Sequence, residues 1–128
     1  MIPRLLSFFS LLLLGFTCYH PAFAQKKSEE EKTGAILFRD KGCTFCHGQG
    51  GVGTKKAPSL TELWKDRTWT SEKITNQILN GGQKMPPFRE SVTDEDVTNL
   101  IAYLRSKNKP VPPPVETEDS TPTPSPQE

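Results

Sequence analysis

The stretch Cys43-Thr44-Phe45-Cys46-His47 decides how this chain must be organised. A Cys-x-x-Cys-His spacing is the attachment motif of a c-type haem, because each thiol can bond one vinyl group of the same porphyrin. The adjacent imidazole is then placed to ligate the iron. The stretch therefore predicts one covalent haem c, bonded through Cys43 and Cys46, with His47 as an axial metal ligand.

Two other kinds of site use a Cys-x-x-Cys pair. A structural zinc needs four ligands, and beyond the first 24 residues the chain offers only Cys43, Cys46 and His47, with no second pair. A thioredoxin-like redox pair needs a βαβ context, which the sequence does not indicate. Haem attachment is therefore the favoured interpretation.

Residues 1–24 are predicted to be a cleaved signal peptide, which implies export to the periplasm. A positive start at Arg4, an apolar run and the cleavage pattern Ala22-Phe23-Ala24 support this. The apolar run is shorter than the ~20 residues of a spanning helix, which favours cleavage before Gln25 over an uncleaved anchor. A lipid anchor on Cys18 is disfavoured because the preceding residues fit a lipoprotein signal poorly.

The sixth iron ligand can be narrowed by elimination. Without the signal, the chain keeps one histidine, His47, and one methionine, Met85. Met85 is therefore the candidate, and the alternative is an open or lysine-bound site with Met85 in the core. A thioether opposite an imidazole favours ferrous iron and raises the potential, as in electron-transfer cytochromes.

The fold class is predicted to be all-α, with long loops around the haem, because no run alternates apolar and polar residues. The first helix is expected to begin at an N-cap on Ser28 and to run to about Asp40, ending at Gly42. Three glutamates would occupy its first turn, where the helix dipole favours negative charge.

Two further helices are predicted over residues 71–80 and from 94 to about 107. Thr70 and Thr93 are their expected N-caps, and Asp96 completes a capping box. Apolar residues in both follow the helical three-and-four spacing. These residues are Ile74, Ile78, Val97, Leu100, Ile101 and Leu104.

Composition divides the mature chain into a monohaem domain, residues 25–109, and a proline-rich acidic tail, residues 110–128, predicted to be disordered. The domain carries 15 basic and 11 acidic residues, whereas the tail has four acids and no base. Lysines flank the segments expected at the haem edge and could steer acidic partners there, or could be ordinary solvated side chains. They are Lys41, Lys55, Lys56 and Lys84.

Over residues 28–108 the chain resembles the small monohaem c-type cytochromes of the mitochondrial and bacterial type. The segments that carry the resemblance lie at both ends of the domain and in its loops. They are Gly34 with Phe38, Cys43–His47, Ala57–Leu60, Lys84–Pro86 and Asn99–Leu104.

The resemblance implies several residue roles. The carbonyl of Pro58 would accept a hydrogen bond from His47, and Trp69, rather than Trp64, would bond a haem propionate. Gly34 and Phe38 would mark the crossing of the first and last helices, on which Tyr103 packs. At position 77 the chain departs from the family, with a glutamine where a tyrosine could bond the methionine side.

We therefore expect an exported carrier of single electrons, and no catalytic residues. Its partners would be redox protein donors and acceptors with acidic docking surfaces, with no nucleic acid and no integral membrane segment after signal cleavage. It would be a monomer or a subunit of a larger redox complex. The alternatives are a cytochrome module bound to one dehydrogenase or oxidase, and a haem peroxidase with a labile Met85.

Overall fold

The computed structural model describes residues 22–115. Within that range the fold consists of helices joined by loops, and it contains no β-strand, which confirms the all-α prediction. The elements are helix α1 Ala22–Asp40, helix α2 Thr44–His47, a 3₁₀ turn Gln49–Gly51, helix α3 Ser71–Asn80 and helix α4 Asp94–Leu104. Within the same residues, no helix is both long and apolar enough to cross a membrane.

Helix α1 begins at Ala22, so the predicted N-cap at Ser28 is wrong. Ser28 lies inside the helix and is exposed. The preceding residues continue the helix because ion pairs one turn apart support it, with Lys26 3.8 Å from Glu30 and Lys27 3.9 Å from Glu31. The glutamates thus act as partners of lysines within the helix and do not complement its N-terminus.

Apart from the C-terminal end of α4, the other helix ends lie close to their predicted positions. Thr70 caps α3 by accepting a hydrogen bond from the Lys73 backbone. Thr93 and Asp96 form the complete capping box of α4. Beyond α1, Gly42 has a φ of 77°, which a residue with a side chain rarely adopts.

Helix α4 ends at Leu104, about one turn before the predicted end near Lys107. The reason is the hydroxyl of the buried Ser106, whose single proton has two acceptors within reach, the carboxylate of Glu31 on α1 at 3.1 Å and the carbonyl of Asn108 at 3.0 Å. A side chain that bonds the backbone two residues ahead competes with helix continuation.

Helices α1 and α4 form the main helix pair and cross at Gly34. A β-carbon on Gly34 would lie 2.6 Å from Cβ of Tyr103, and closer still to the carbonyl oxygen of Asn99. One turn further on, the rings of Phe38 and Tyr103 pack with their centroids 5.3 Å apart. The predicted crossing is confirmed.

We expect Gly34→Ala to destabilise the protein. Alanine favours a helix over glycine by ~1 kcal/mol, but overpacking against the backbone of α4 costs about 1–3 kcal/mol or more. The clash should prevail, because the nearest atoms are backbone atoms that cannot rotate away. A net loss of about 1–2 kcal/mol corresponds to a Tm lower by roughly 5–15 °C in a domain of this size.

Ser28→Ala is the matched control for thermal unfolding, because it places alanine at an exposed interior position of the same helix. It should leave Tm unchanged or slightly raised, whereas a true N-cap would lose about 1 kcal/mol on this change. Equal Tm values for Gly34→Ala and the wild type would show that the helices do not approach as described.

The buried apolar core is small and borders an open cleft. Its eight members come from α1, α3 and α4, and four of them, Phe38, Ile78, Leu100 and Leu104, also line the cleft. The full set is Ala35, Phe38, Ile74, Ile78, Val97, Leu100, Tyr103 and Leu104. Both isoleucines of α3 are therefore buried as predicted, while Ile101 of the α4 stripe is only half-buried.

After α4 the chain continues without helix or strand to Val115. The guanidinium of Arg39, near the end of α1, donates a hydrogen bond to the carbonyl of Pro113. The first residues of the predicted tail are thus in contact with the helical domain. Residues 1–21 and 116–128, which hold most of the predicted signal peptide and tail, lie outside the described part of the chain.

Candidate functional site

A cleft of about 400 Å³, counted to its opening on solvent, lies between the haem motif and the segment that carries Met85. Cys43, His47 and Met85 all line it. Apart from these residues and Lys41, its wall is aliphatic and aromatic. The remaining lining residues are Phe38, Leu60, Ile78, Phe88, Val92, Leu100 and Leu104.

The motif forms the short helix α2. The backbone N–H of His47 donates to the carbonyl of Cys43 at 2.9 Å, which brings the first and last residues of the motif into one turn. No disulfide joins the two cysteines, both are half-buried, and Cys43 belongs to the cleft wall. Burial raises the pKa of the Cys43 thiol, with a hydrogen bond from its backbone acting in the opposite direction.

A single contact fixes the orientation of the His47 ring. Its Nδ1 lies 2.9 Å from the carbonyl oxygen of Pro58, as the family resemblance implied. Because Nδ1 is engaged, the ring donates there and leaves Nε2 as the nitrogen for a metal. The loop with Pro58 is itself tied to the motif, since the Thr54 hydroxyl donates to the carbonyl of Cys46 at 2.5 Å.

Backbone hydrogen bonds to α3 position Met85. The N–H of Gly82 donates to the Met85 carbonyl at 2.8 Å and closes a tight loop. Beyond it, the N–H of Phe88 bonds the carbonyl of Ile78 at 3.0 Å. Gly81, with a φ of 71°, lets the chain turn here, where a side chain would collide with the Met85 carbonyl and the prolines that follow.

Gln77 contributes a contact that sequence reasoning had left open. Its Nε2 lies 3.7 Å from Sδ of Met85, so an amide donates where a tyrosine hydroxyl was the alternative. The available signal was the position of Gln77 three residues after the buried Ile74, which places both on one side of α3.

The two tryptophans lie away from the lining of the cleft. Trp69 is 39 % exposed, and its carbonyl accepts a hydrogen bond from Arg105. Trp64 is 37 % exposed, and the ammonium of Lys107 lies 5.4 Å from its ring centroid. The propionate contact expected of Trp69 remains a prediction.

The four lysines expected at the haem edge divide into two groups. Lys55, Lys56 and Lys84 are exposed. Lys41 is half-buried, lines the cleft, and donates a hydrogen bond to the carbonyl of Ser91 at 2.5 Å. Its ammonium therefore has a backbone acceptor, at the exposed edge of the cleft.

The described residues fit a haem better than a metal ion held by side chains alone. Between residues 22 and 115 there is no group of three or more His, Cys, Asp and Glu side chains arranged to hold a metal ion. The cleft instead offers an apolar wall with one imidazole and one thioether, a donor set suited to a porphyrin iron.

The sequence profile described as cytochrome c oxidase, cbb3-type, subunit III matches residues 29–104. The chain belongs to this family of c-type cytochromes. Family membership establishes that it is a cytochrome c with covalently bound haem and that its function lies in electron transfer.

This cytochrome is similar along most of its length to cytochrome c6 of Nostoc sp., with 28 % identity over 101 residues, which are 77 % of this chain and 91 % of the relative. Cytochrome c-555 of Methylococcus capsulatus is 25 % identical over 89 residues, 69 % and 71 % of the two chains. The cbb3-type cytochrome c oxidase subunit FixP of Sinorhizobium medicae is 30 % identical over 86 residues, but they cover only 28 % of that protein.

Proposed function

We propose that this cytochrome is a periplasmic carrier of single electrons whose haem is bonded to Cys43 and Cys46 and ligated by His47 and Met85. The observation that supports it most strongly is the cleft, in which His47 and Met85 share one apolar wall. When bound there, the haem supplies a one-electron iron couple.

The residues of this chain would bind and orient the haem, and none of them would itself react. The Pro58 carbonyl orients the His47 ring and raises its basicity through the Nδ1 hydrogen bond. The Met85 thioether favours the ferrous state, and the aliphatic wall keeps water away. If His47 and Met85 both hold the haem iron, a substrate would have no access to the iron, and the bound haem would supply one-electron transfer only.

This proposal favours an electron carrier over a haem peroxidase, because Met85 would occupy the position that peroxide must reach. Carbon monoxide provides the distinguishing measurement. A carrier closed by Met85 should bind it slowly and weakly in the ferrous state. Rapid, tight binding to the wild-type protein would favour the peroxidase.

A second candidate is a cytochrome subunit or module that works within one oxidase. The matched family profile and the similarity to FixP favour this candidate. The two proposals differ in the role of the predicted tail, residues 110–128. A tail-deleted protein that exchanges electrons with its oxidase as fast as the full chain would support the free carrier, whereas a loss of co-purification would support the subunit.

We also propose that residues 1–24 are removed on export, that residues 25–109 form the cytochrome domain, and that residues 110–128 form a tail. The mass of the protein recovered from the periplasm tests the first boundary. A mature chain beginning at Gln25 plus one haem supports the proposal, and a mass that includes the first 24 residues contradicts it.

Redox titration followed by visible absorption tests the proposed function directly. The protein should show one reversible wave of one electron per chain, with little change in helix content between the two oxidation states. A chain that binds haem but is oxidised irreversibly, or that loses helix on reduction, would not serve as a carrier.

We expect Gln77→Leu to lower the midpoint potential. The amide of Gln77 withdraws electron density from Sδ of Met85 and so disfavours ferric iron. A hydrogen bond contributes ~1 kcal/mol, which for one electron equals ~40 mV, on the scale of 59 mV per tenfold change. The potential should therefore fall by about 40 mV in a redox titration.

Gln83→Leu is the matched control for the potential, because it makes the same chemical change at an exposed position near Met85. Its potential should stay at the wild-type value. If both variants shift alike, the effect comes from general polarity and the hydrogen bond to sulfur is not its cause.

A further inference from the structure

Lys41 joins two parts of the cytochrome that are far apart in the chain. It follows directly on helix α1, two residues before Cys43, and its side chain lines the cleft. Its ammonium donates to the carbonyl of Ser91, 50 residues further along. Lys41 thus connects the wall that carries the haem motif with the wall that carries Met85.

The other hydrogen bonds of the segment that carries Met85 are formed with α3 or within the segment itself. Phe88 and Arg89 bond the carbonyls of Ile78 and Leu79 on α3. The N–H groups of Ser91 and Val92 return to the carbonyl of Phe88 at 2.8 and 3.1 Å. Among the hydrogen bonds found within residues 22–115, the one from Lys41 is the only bond between segment 81–92 and the wall of residues 41–60.

The ammonium of Lys41 also lies near a carboxylate, that of Asp96. Asp96, in the first turn of α4, has a pKa lowered chiefly by the hydrogen bond from the Thr93 backbone, and also by the positive charge of Lys41. The ammonium therefore lies near the acidic start of α4 as well as the Ser91 carbonyl. A charged donor forms a stronger hydrogen bond to a carbonyl than a neutral donor does.

We propose that Lys41 is a positioning residue whose hydrogen bond to Ser91 holds the Met85 segment closed against the haem. An external ligand that displaces Met85 must move this segment, and the movement breaks the bond. Lys41 thereby raises the cost of ligand entry and keeps the site a closed electron carrier. The inference rests on the proposed ligation by Met85.

Imidazole binding to the ferric protein tests the proposal, with the absorption band from sulfur to iron as the readout of Met85 ligation. Lys41→Met keeps the apolar stem and removes the ammonium. Because the ammonium forms a charge-assisted hydrogen bond at the exposed edge of the cleft, the variant should bind imidazole several-fold more tightly than the wild type. Lys41→Arg, which can still donate to the carbonyl, should recover most of the wild-type resistance.

Lys55→Met is the control, since it removes the same charge beside the motif from an exposed side chain. It should bind imidazole as the wild type does. If Lys41→Met and Lys55→Met bind it equally tightly, the effect is only one of net charge and the proposal is wrong. If the wild type lacks the sulfur band, ligation by Met85 fails first, and the role of Lys41 fails with it.

A measurement on the wild type keeps the proposal testable should Lys41→Met fail to retain haem. In the nuclear magnetic resonance spectrum of the ferrous protein, the ammonium protons of Lys41 should exchange with water more slowly than those of Lys55 and Lys56. Equal exchange rates for the three lysines would contradict a fixed hydrogen bond to Ser91.

Discussion

Met85→Ala should lose the weak absorption band from sulfur to iron while keeping the covalent haem. Its midpoint potential should fall by at least ~100 mV, because the choice of axial ligands spans about 0.8 V in haem proteins. The direction follows from the thioether, which stabilises ferrous iron relative to water or nitrogen ligands. The variant should also bind carbon monoxide readily, since the sixth position would be open.

Val92→Ala is the matched control for both readouts. It also shortens a side chain in the cleft wall, but it removes no sulfur. It should keep the band and most of the potential. If Met85→Ala keeps the band and the potential, another residue is the ligand, and the lysine-bound alternative becomes the leading one.

Replacing both Cys43 and Cys46 with alanine should abolish covalent haem and, with it, most of the folded population. On a denaturing gel stained for haem, the chain should give no signal, since the two thioether bonds are the only covalent links we assign. The helical signal in circular dichroism should fall strongly. The physical reason is the small core, half of whose members also line the cleft.

Loss of haem would leave Phe38, Ile78, Leu100 and Leu104 facing a water-filled space. Burial of a side chain of this size contributes about 1.5–3 kcal/mol, against a total stability of only ~5–15 kcal/mol for a domain. Partial loss at several such positions is enough to favour unfolding. A double variant with wild-type helix content would show that the domain folds without its haem.

Cys18→Ala is the control for this experiment. It removes the one cysteine outside the haem motif, which lies in the predicted signal peptide and outside the described residues. Haem staining and helix content should match the wild type. A loss of haem in this control would show that Cys18 takes part in attachment or export.

Local signals in the sequence predicted the fold well wherever local chemistry determines it. The N-caps at Thr70 and Thr93 and the capping box at Asp96 depend on residues within one turn. The crossing at Gly34 was implied by the family resemblance, and the lack of a side chain there allows it. Two helix ends differ from the prediction, the N-terminal end of α1 and the C-terminal end of α4. Lysine–glutamate pairs extend α1 backwards, and a contact of Ser106 with α1 ends α4 early.

The predictions for the site were also most complete where they depended on residues close together in the sequence. Cys43, Cys46 and His47 are adjacent in sequence, so their spacing alone predicted haem attachment. The amide of Gln77 on Met85 and the bond from Lys41 to Ser91 join residues 8 and 50 positions apart. No spacing rule predicts the partner in either contact, because each depends on where the loop after α3 lies in the folded chain.

The visible spectrum of the purified wild-type protein, in both oxidation states, is the most direct test of haem ligation by His47 and Met85. We predict a low-spin, six-coordinate haem c in both states, with the weak sulfur-to-iron band in the oxidised form that marks ligation by His47 and Met85. A five-coordinate spectrum, or an oxidised spectrum without that band, would contradict the closed His/Met site and with it the proposed function.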